Sequence, residues 1–221
     1  MAPIETAAQA ADPDRSVIRR PLVILGAGEH AMVVADAARS GRDAWEVEEF
    51  ADEAAETALR ERIAAAHGAD RPALVIGFGA RTTALAAAAR FDEDVTWATI
   101  VHDTAWVSPS AVLDPGAVVL AGAMVNAGAH VGRHAIVNTG AIVEHDVSLG
   151  AFVHVAPGAT LGGGTAVGDH AQIGLGAAVR DHVSIGAGAA VGMGAVVVAD
   201  VPANAVVVGN PARAIERDAD A

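Results

Sequence analysis

The chain has 221 residues, 52% of them apolar and 19% charged, enough for one large domain or two small ones with a full core. Its net charge of −13 is spread over both halves, so no basic patch is available for binding nucleic acid by phosphate neutralisation. The chain has no Cys and no Lys, which excludes disulfides, thiolate metal sites, Cys nucleophiles, Schiff-base chemistry and the lysine of a Walker A loop.

Residues 1–20 lack the apolar core of a signal peptide and read as a mobile tail. The apolar stretches further on are broken by Gly, Asp and His. No membrane insertion is therefore expected, and the sequence reads as that of a cytoplasmic protein. PLVILGAG (21–28) is a buried strand ending in a glycine turn, and EHAMVVADAARSG (29–41) has helical spacing up to Gly41. EVEEF (46–50) is a short edge strand, and residues 52–67 are helical in composition. RPALVIGFGA (71–80) is a second buried strand, and RTTALAAAARF (81–91) a further helix. Alternation of strand and helix predicts a small Rossmann-like α/β unit over 21–100.

From Val101 the period changes. Seventeen consecutive six-residue units begin with Val, Leu or Ile, from Val101 through Val143, Leu149, Val155 and Leu161 to Val197. The fifth residue of every unit is Ala, Val or Thr, and the second is often Gly, as in Gly132, Gly150 and Gly162. A solenoid accounts for this pattern. Each unit is a short strand plus a corner, and three units make a triangular coil. The aliphatic residue points into the prism, the small fifth residue fits near the corner, and Gly permits tight or positive-φ backbone at the turns. The repeat covers 101–214, with a tail at 215–221.

Within the repeat, Glu144, His145 and Asp146 stand side by side, and His154 follows nine residues after His145. His145 is the third residue of its unit and should point outward. One reading is a solvated histidine between two acids. The other is a general base, since a neighbouring carboxylate that accepts an imidazole N–H fixes the tautomer and stabilises the imidazolium. Direct acyl transfer needs such a base to take the proton of an attacking amine or hydroxyl; the absence of Cys excludes a thiol acyl-enzyme, and no motif supports an ester on Ser148 or Ser184. Nine residues are half of an eighteen-residue coil, so His154 should not stack on His145 within one chain. In the first half, Gly26-Ala27-Gly28-Glu29-His30 joins a strand to a helix, where backbone N–H groups can meet a phosphate.

The motifs GAGEH (26–30), FADE (50–53), IGFGAR (76–81), NTGAIVEHDVSLGAFVHVAPGATLGG (138–163) and VVVGNPAR (206–213) occur in this order. The series resembles the NeuD/PglD-type sugar acetyltransferases, hexapeptide-repeat enzymes with a left-handed parallel β-helix. The resemblance implies an acetyl-CoA-dependent N-acetyltransferase of a nucleotide-linked amino sugar in bacterial cell-surface glycan biosynthesis. It also implies a homotrimer with active sites between neighbouring prisms, and no metal. By the same resemblance His145 matches the catalytic base and Asp146 the acid that raises its basicity, often a Glu there. His154 matches the residue near the acetyl-CoA thioester, and Leu175 a backbone contact to the pantetheine arm. Met193 stands where a relative has a Gly that contacts CoA, and Arg213 lies near the CoA nucleotide. The acceptor sugar is assigned to Gly28, Glu29, His30, Asp52, Glu53 and Gly77. Relatives often read Asp-Asp where this chain has Asp52-Glu53.

Four other readings compete. O-acetylation of sialic acid uses the same base. A zinc hydratase similar to γ-type carbonic anhydrases needs three converging His, and only His130 and His134 have suggestive spacing. A nicotinamide dehydrogenase needs more chain than the first half provides. A non-catalytic trimeric scaffold predicts no turnover.

Overall fold

The computed structural model describes residues 20–41, 45–51, 55–79, 81–91 and 95–215. The first part is a four-stranded parallel sheet with three helices. Its strands are β1 (Arg20–Leu25), β2 (Trp45–Ala51), β3 (Ala73–Ile76) and β4 (Thr96–Trp97), in the order β2-β1-β3-β4. The helices are α1 (Glu29–Ser40), α2 (Glu56–Ala65) and α3 (Arg81–Phe91). Strand β2 lies at an edge, as expected, whereas β4 is too short to show a period.

Sequence spacing explains how this unit packs. Ala31, Val34, Ala35 and Ala38 follow helical i, i+3, i+4, i+7 spacing and are buried. They pack between one face of the sheet (Leu22, Ile24, Ala73, Val75) and the outside of the solenoid (Ile100, Val118, Leu120, Ile136). The opposite face of the sheet (Val23, Leu25, Leu74, Ile76) packs on Leu59 and Ile63 of α2 and on Ala87, Ala88 and Phe91 of α3. Helix α1 is thus the layer shared by the two halves of the molecule.

From Ile100 the chain winds through two-residue strands that pair in parallel with the strand eighteen residues on, as in His130↔Ser148, Ile136↔His154 and Ile142↔Thr160. Three sheets result. The first runs through Val119, Val137 and Val155, the second through Val125, Val143 and Leu161, and the third through Val131, Leu149 and Val167. The prism is filled by the first and fifth residues of the units, among them Val143, Val147, Leu149, Val155, Ala159 and Leu161, all buried. A last strand, Arg213–Ile215, folds back antiparallel on Val206–Val208 at the end of the first sheet.

The glycines divide into two classes, which corrects the sequence reading. Left-handed backbone falls on the fourth residue of the units, where Asp146 (φ 58°) and Gly164 (φ 67°) stand. The second-position glycines have no positive φ. A Cβ on Gly132 would stand 2.6 Å from the Gly150 carbonyl carbon, so these glycines let adjacent coils approach rather than let the chain turn.

Candidate active site

The sequence-predicted residues fall into two groups on different sides of the prism. The first lies where the α/β unit meets the solenoid. β1 and β3 are neighbours whose chains leave toward opposite sides of the sheet, the arrangement that in open α/β sheets makes a ligand crevice beyond the carboxyl ends of the strands. Gly28 caps α1 there without a side-chain hydrogen bond, leaving first-turn N–H groups directed outward. Gly77 borders the same crevice: its N–H donates to Leu25 O at 2.8 Å, and its missing Cβ leaves room for Ala31. Glu29 is exposed in the first turn of α1. Asp52 and Glu53 lie outside the described residues.

His30, the second residue of α1, reaches the solenoid at His154, with ring centroids 6.3 Å apart. His154 projects from the outer face of the first sheet, in the same row as Val118 and Ile136 and one coil beyond the part that α1 covers. Burial pushes the His154 imidazole down to about 4, and the nearby His30 adds to the effect. Burial also lowers His30, whose Nε2 is buried without a hydrogen-bond partner among the described residues. Asn138 Nδ2 donates to His154 Nε2 at 3.0 Å. A cleft of about 20 Å³, room for about one water, opens beside His154 between Phe78, Gly79, His134 and Phe152.

From His154 an apolar edge runs down the corner between the first and second sheets. Pro157, Leu175 and Met193 occupy the same corner position on successive coils, tied by Gly176 N–H to Pro157 O (3.0 Å) and Gly194 N–H to Leu175 O (2.8 Å). Leu175 is 50% exposed and Met193 76%. Arg213 pairs with Val208, which packs over Gly192, so an exposed guanidinium stands beyond Met193 at the end of this edge. An extended apolar arm with an anionic end fits such a strip.

The second group lies on the corner between the second and third sheets, which in a triangular prism is across from the first sheet. His145 Nδ1 is 3.0 Å from Asp146 Oδ2. A carboxylate only accepts, so Nδ1 carries the proton and the Nε2 lone pair is left for base chemistry. Asp146 tolerates its left-handed conformation because a short carboxylate side chain is among those that do. Its hydrogen bond raises the His145 imidazole above the ordinary range, slight desolvation of the ring opposes this, and the charges of Asp146 and Glu144 add to the rise. Glu144 also accepts the His145 backbone N–H at 3.4 Å. The structure therefore places His145 with Asp146 and His30 with His154, and does not bring the two pairs together within one chain.

Comparison with solved structures decides the family. A histidine-to-alanine variant of the GDP-perosamine N-acetyltransferase from Caulobacter crescentus, in complex with CoA and GDP-perosamine, is 33% identical with a TM-score of 0.80, over 89% of this chain and 97% of that one. The chain belongs to the hexapeptide-repeat sugar acetyltransferases. The acetyltransferase domain of PglB from Neisseria gonorrhoeae, in complex with acetyl coenzyme A, is 32% identical with a TM-score of 0.75, over 89% of this chain and all of that one. WeeI from Acinetobacter baumannii, at 22% identity and a TM-score of 0.66 over 89% of this chain and all of that one, shares the fold. The solenoid of these sugar acetyltransferases is a left-handed parallel β-helix behind a Rossmann-like unit. No protein-family model matches the chain, and no curated protein does.

Some residues of this sugar acetyltransferase escaped the sequence reading. Asn138 holds His154 from sixteen residues away, and Gly163 lies under the His145 ring one coil on. Both follow from the eighteen-residue coil once it is read as a stacking distance. A wider groove of about 530 Å³ over Ser148, Ser184 and Asp200 contains none of the predicted site residues. Among the described residues, no group of three metal-ligating side chains is arranged around a common point, and no helix is long and apolar enough to cross a membrane.

Proposed function

We propose that the protein transfers an acetyl group from acetyl-CoA to the amine of a nucleotide-linked amino sugar, as a step in bacterial cell-surface glycan assembly. The observation that carries the reading is the His145–Asp146 pair, with Nδ1 committed to the carboxylate and Nε2 open. His145 Nε2 takes a proton from the acceptor amine as its nitrogen bonds to the thioester carbonyl carbon. Asp146 stabilises the imidazolium. His145 then returns the proton to the sulfur as the carbon–sulfur bond breaks, leaving amide and thiol. The α/β unit, residues 21–100, takes the acceptor at Gly28, Glu29, His30, Asp52, Glu53 and Gly77. Residues 101–214 take acetyl-CoA, with the thioester near His154, the pantetheine arm along Leu175 and Met193, and Arg213 near the phosphates.

His145 and His154 lie across the prism from each other, so a complete site takes His145 from one copy and the His30–His154 side from the next. A cyclic trimer closes such contacts. Similarity to the enzyme from C. crescentus, crystallised with GDP-perosamine, supports an amino-sugar acceptor over sialic acid. The test is CoA release from acetyl-CoA with a panel of nucleotide amino sugars and free sialic acids, wild type beside His145→Ala. Release with an amino sugar, lost in the variant, is expected. Release only with sialic acid would move the assignment to O-acetylation.

A further inference from the structure

Gly163 lies one coil from His145, directly under its imidazole. A Cβ built on Gly163 would stand 2.5 Å from His145 Nε2 and 2.6 Å from Cε1, closer than carbon and nitrogen atoms approach without a bond. Any larger residue there must displace the ring. The backbone itself does not demand glycine: Gly163 is absent from the residues with positive φ, whereas its neighbour Gly164 has φ 67°. The equivalent corner position on other coils carries side chains, in Ala127, Asp181 and Ala199. Gly163 is thus required for room and not for conformation. Gly128 makes similar room for Asp146, since a Cβ there would stand 2.6 Å from Oδ1, but its φ of 70° confounds any substitution.

We propose that Gly163 is a positioning residue of the acyl-transfer site, whose missing side chain holds the His145 imidazole on Asp146 and keeps Nε2 open to the reacting groups. The proposal rests on His145 being the base. His145 is 60% exposed, so its ring can swing into solvent, and Gly163→Ala is expected to keep the wild-type Tm. Its kcat should fall about 100-fold while the KM values for acetyl-CoA and acceptor hold, as a misplaced catalytic group predicts. In a His145→Ala background the same substitution should change nothing further, because the group it acts through is gone.

Proton NMR of the imidazole supplies a readout independent of turnover. In wild type His145 should titrate above the ordinary range, and in Gly163→Ala it should return to that range as the ring leaves Asp146. Full kcat in Gly163→Ala, or an unchanged titration midpoint, overturns the proposal. So does a Tm lost in Gly163→Ala and not regained on adding His145→Ala. If wild type acetylates no amino sugar, the functional reading fails separately, and the NMR comparison alone decides the role of Gly163.

Discussion

Asn138 holds His154 in a single tautomer. Its Oδ1 accepts the Thr139 backbone N–H at 2.7 Å, which turns Nδ2 toward His154 Nε2 at 3.0 Å. Nε2 must therefore accept, and the neutral ring carries its proton on Nδ1. The imidazole, pushed down to about 4 by burial and by His30, stays neutral at any pH near 7. It is a polar contact of fixed sense, beside His30 and at the head of the Leu175–Met193 edge.

This neutrality has a stability consequence. An unfolded chain protonates His154 near its ordinary value of 6.5, whereas the folded chain resists down to about 4. Between those values the unfolded state binds more protons, so stability falls as pH falls, by up to roughly 3 kcal/mol at full protonation. His30, also lowered by burial, acts in the same direction. His154→Gln keeps an acceptor for Asn138 without the titration. Thermal unfolding from pH 7.5 to 4.5 should show a shallower loss of Tm in this variant. Parallel curves would mean that another group governs the acid side.

His145 titrates in the opposite sense, because Asp146 favours its charged form. A base must be unprotonated, so the acid limb of kcat/KM in wild type should lie above the ordinary imidazole range. Asp146→Asn removes the carboxylate and lets the amide favour the wrong tautomer. Its acid limb should move to lower pH and its plateau fall about 10- to 100-fold, against about 100- to 10,000-fold for His145→Ala. The pH–rate profile of the two variants checks this, and a limb that stays in place would show that His145 is not the titrating group.

The contrast between these two histidines shows what the sequence discloses. The six-residue register put Val143, Leu149 and Leu161 inside the prism and His145 outside it, and the core follows that assignment. It also placed His145 and His154 half a coil apart, as the strand pairing has them. It did not reveal what each second-position glycine is for, because the contact of Gly132 with Gly150 belongs to the next coil and not to its own turn. Asn138 and Gly163 escaped for the same reason: their partners stand sixteen and eighteen residues away. The strand β4 escaped because Thr96–Trp97 is too short to carry a period, although buried Trp97 meets His134 edge-to-face with ring centroids 4.5 Å apart.

The edge from Pro157 to Met193 makes a separate prediction about the donor. Leu175 is half exposed and lies outside the prism core, so Leu175→Ser should leave Tm unchanged. Covering the exposed half of this side chain with an apolar ligand arm contributes about 0.8–1.5 kcal/mol, so its loss should raise the KM for acetyl-CoA about 4- to 12-fold. The acceptor KM should stay in place. Initial rates at varied acetyl-CoA measure this, and an unchanged KM would remove the Leu175 side chain from the donor site.

The separation of His145 from His154 predicts how subunits share the work. His145→Ala and His154→Ala chains should each be weak alone. Mixed at equal amounts, unfolded and refolded together, they should regain activity. In a cyclic assembly each site takes His145 from one chain and His154 from its neighbour, so about a quarter of the sites in a random mixture carry both intact histidines. Recovery to about a quarter of wild-type activity is expected. A mixture no more active than the mean of its two parents would place both histidines of a working site on one chain, against the geometry of the prism. A double variant, His145→Ala with His154→Ala, mixed with wild type supplies the control. It should dilute activity without restoring any, because such chains donate neither half of a site.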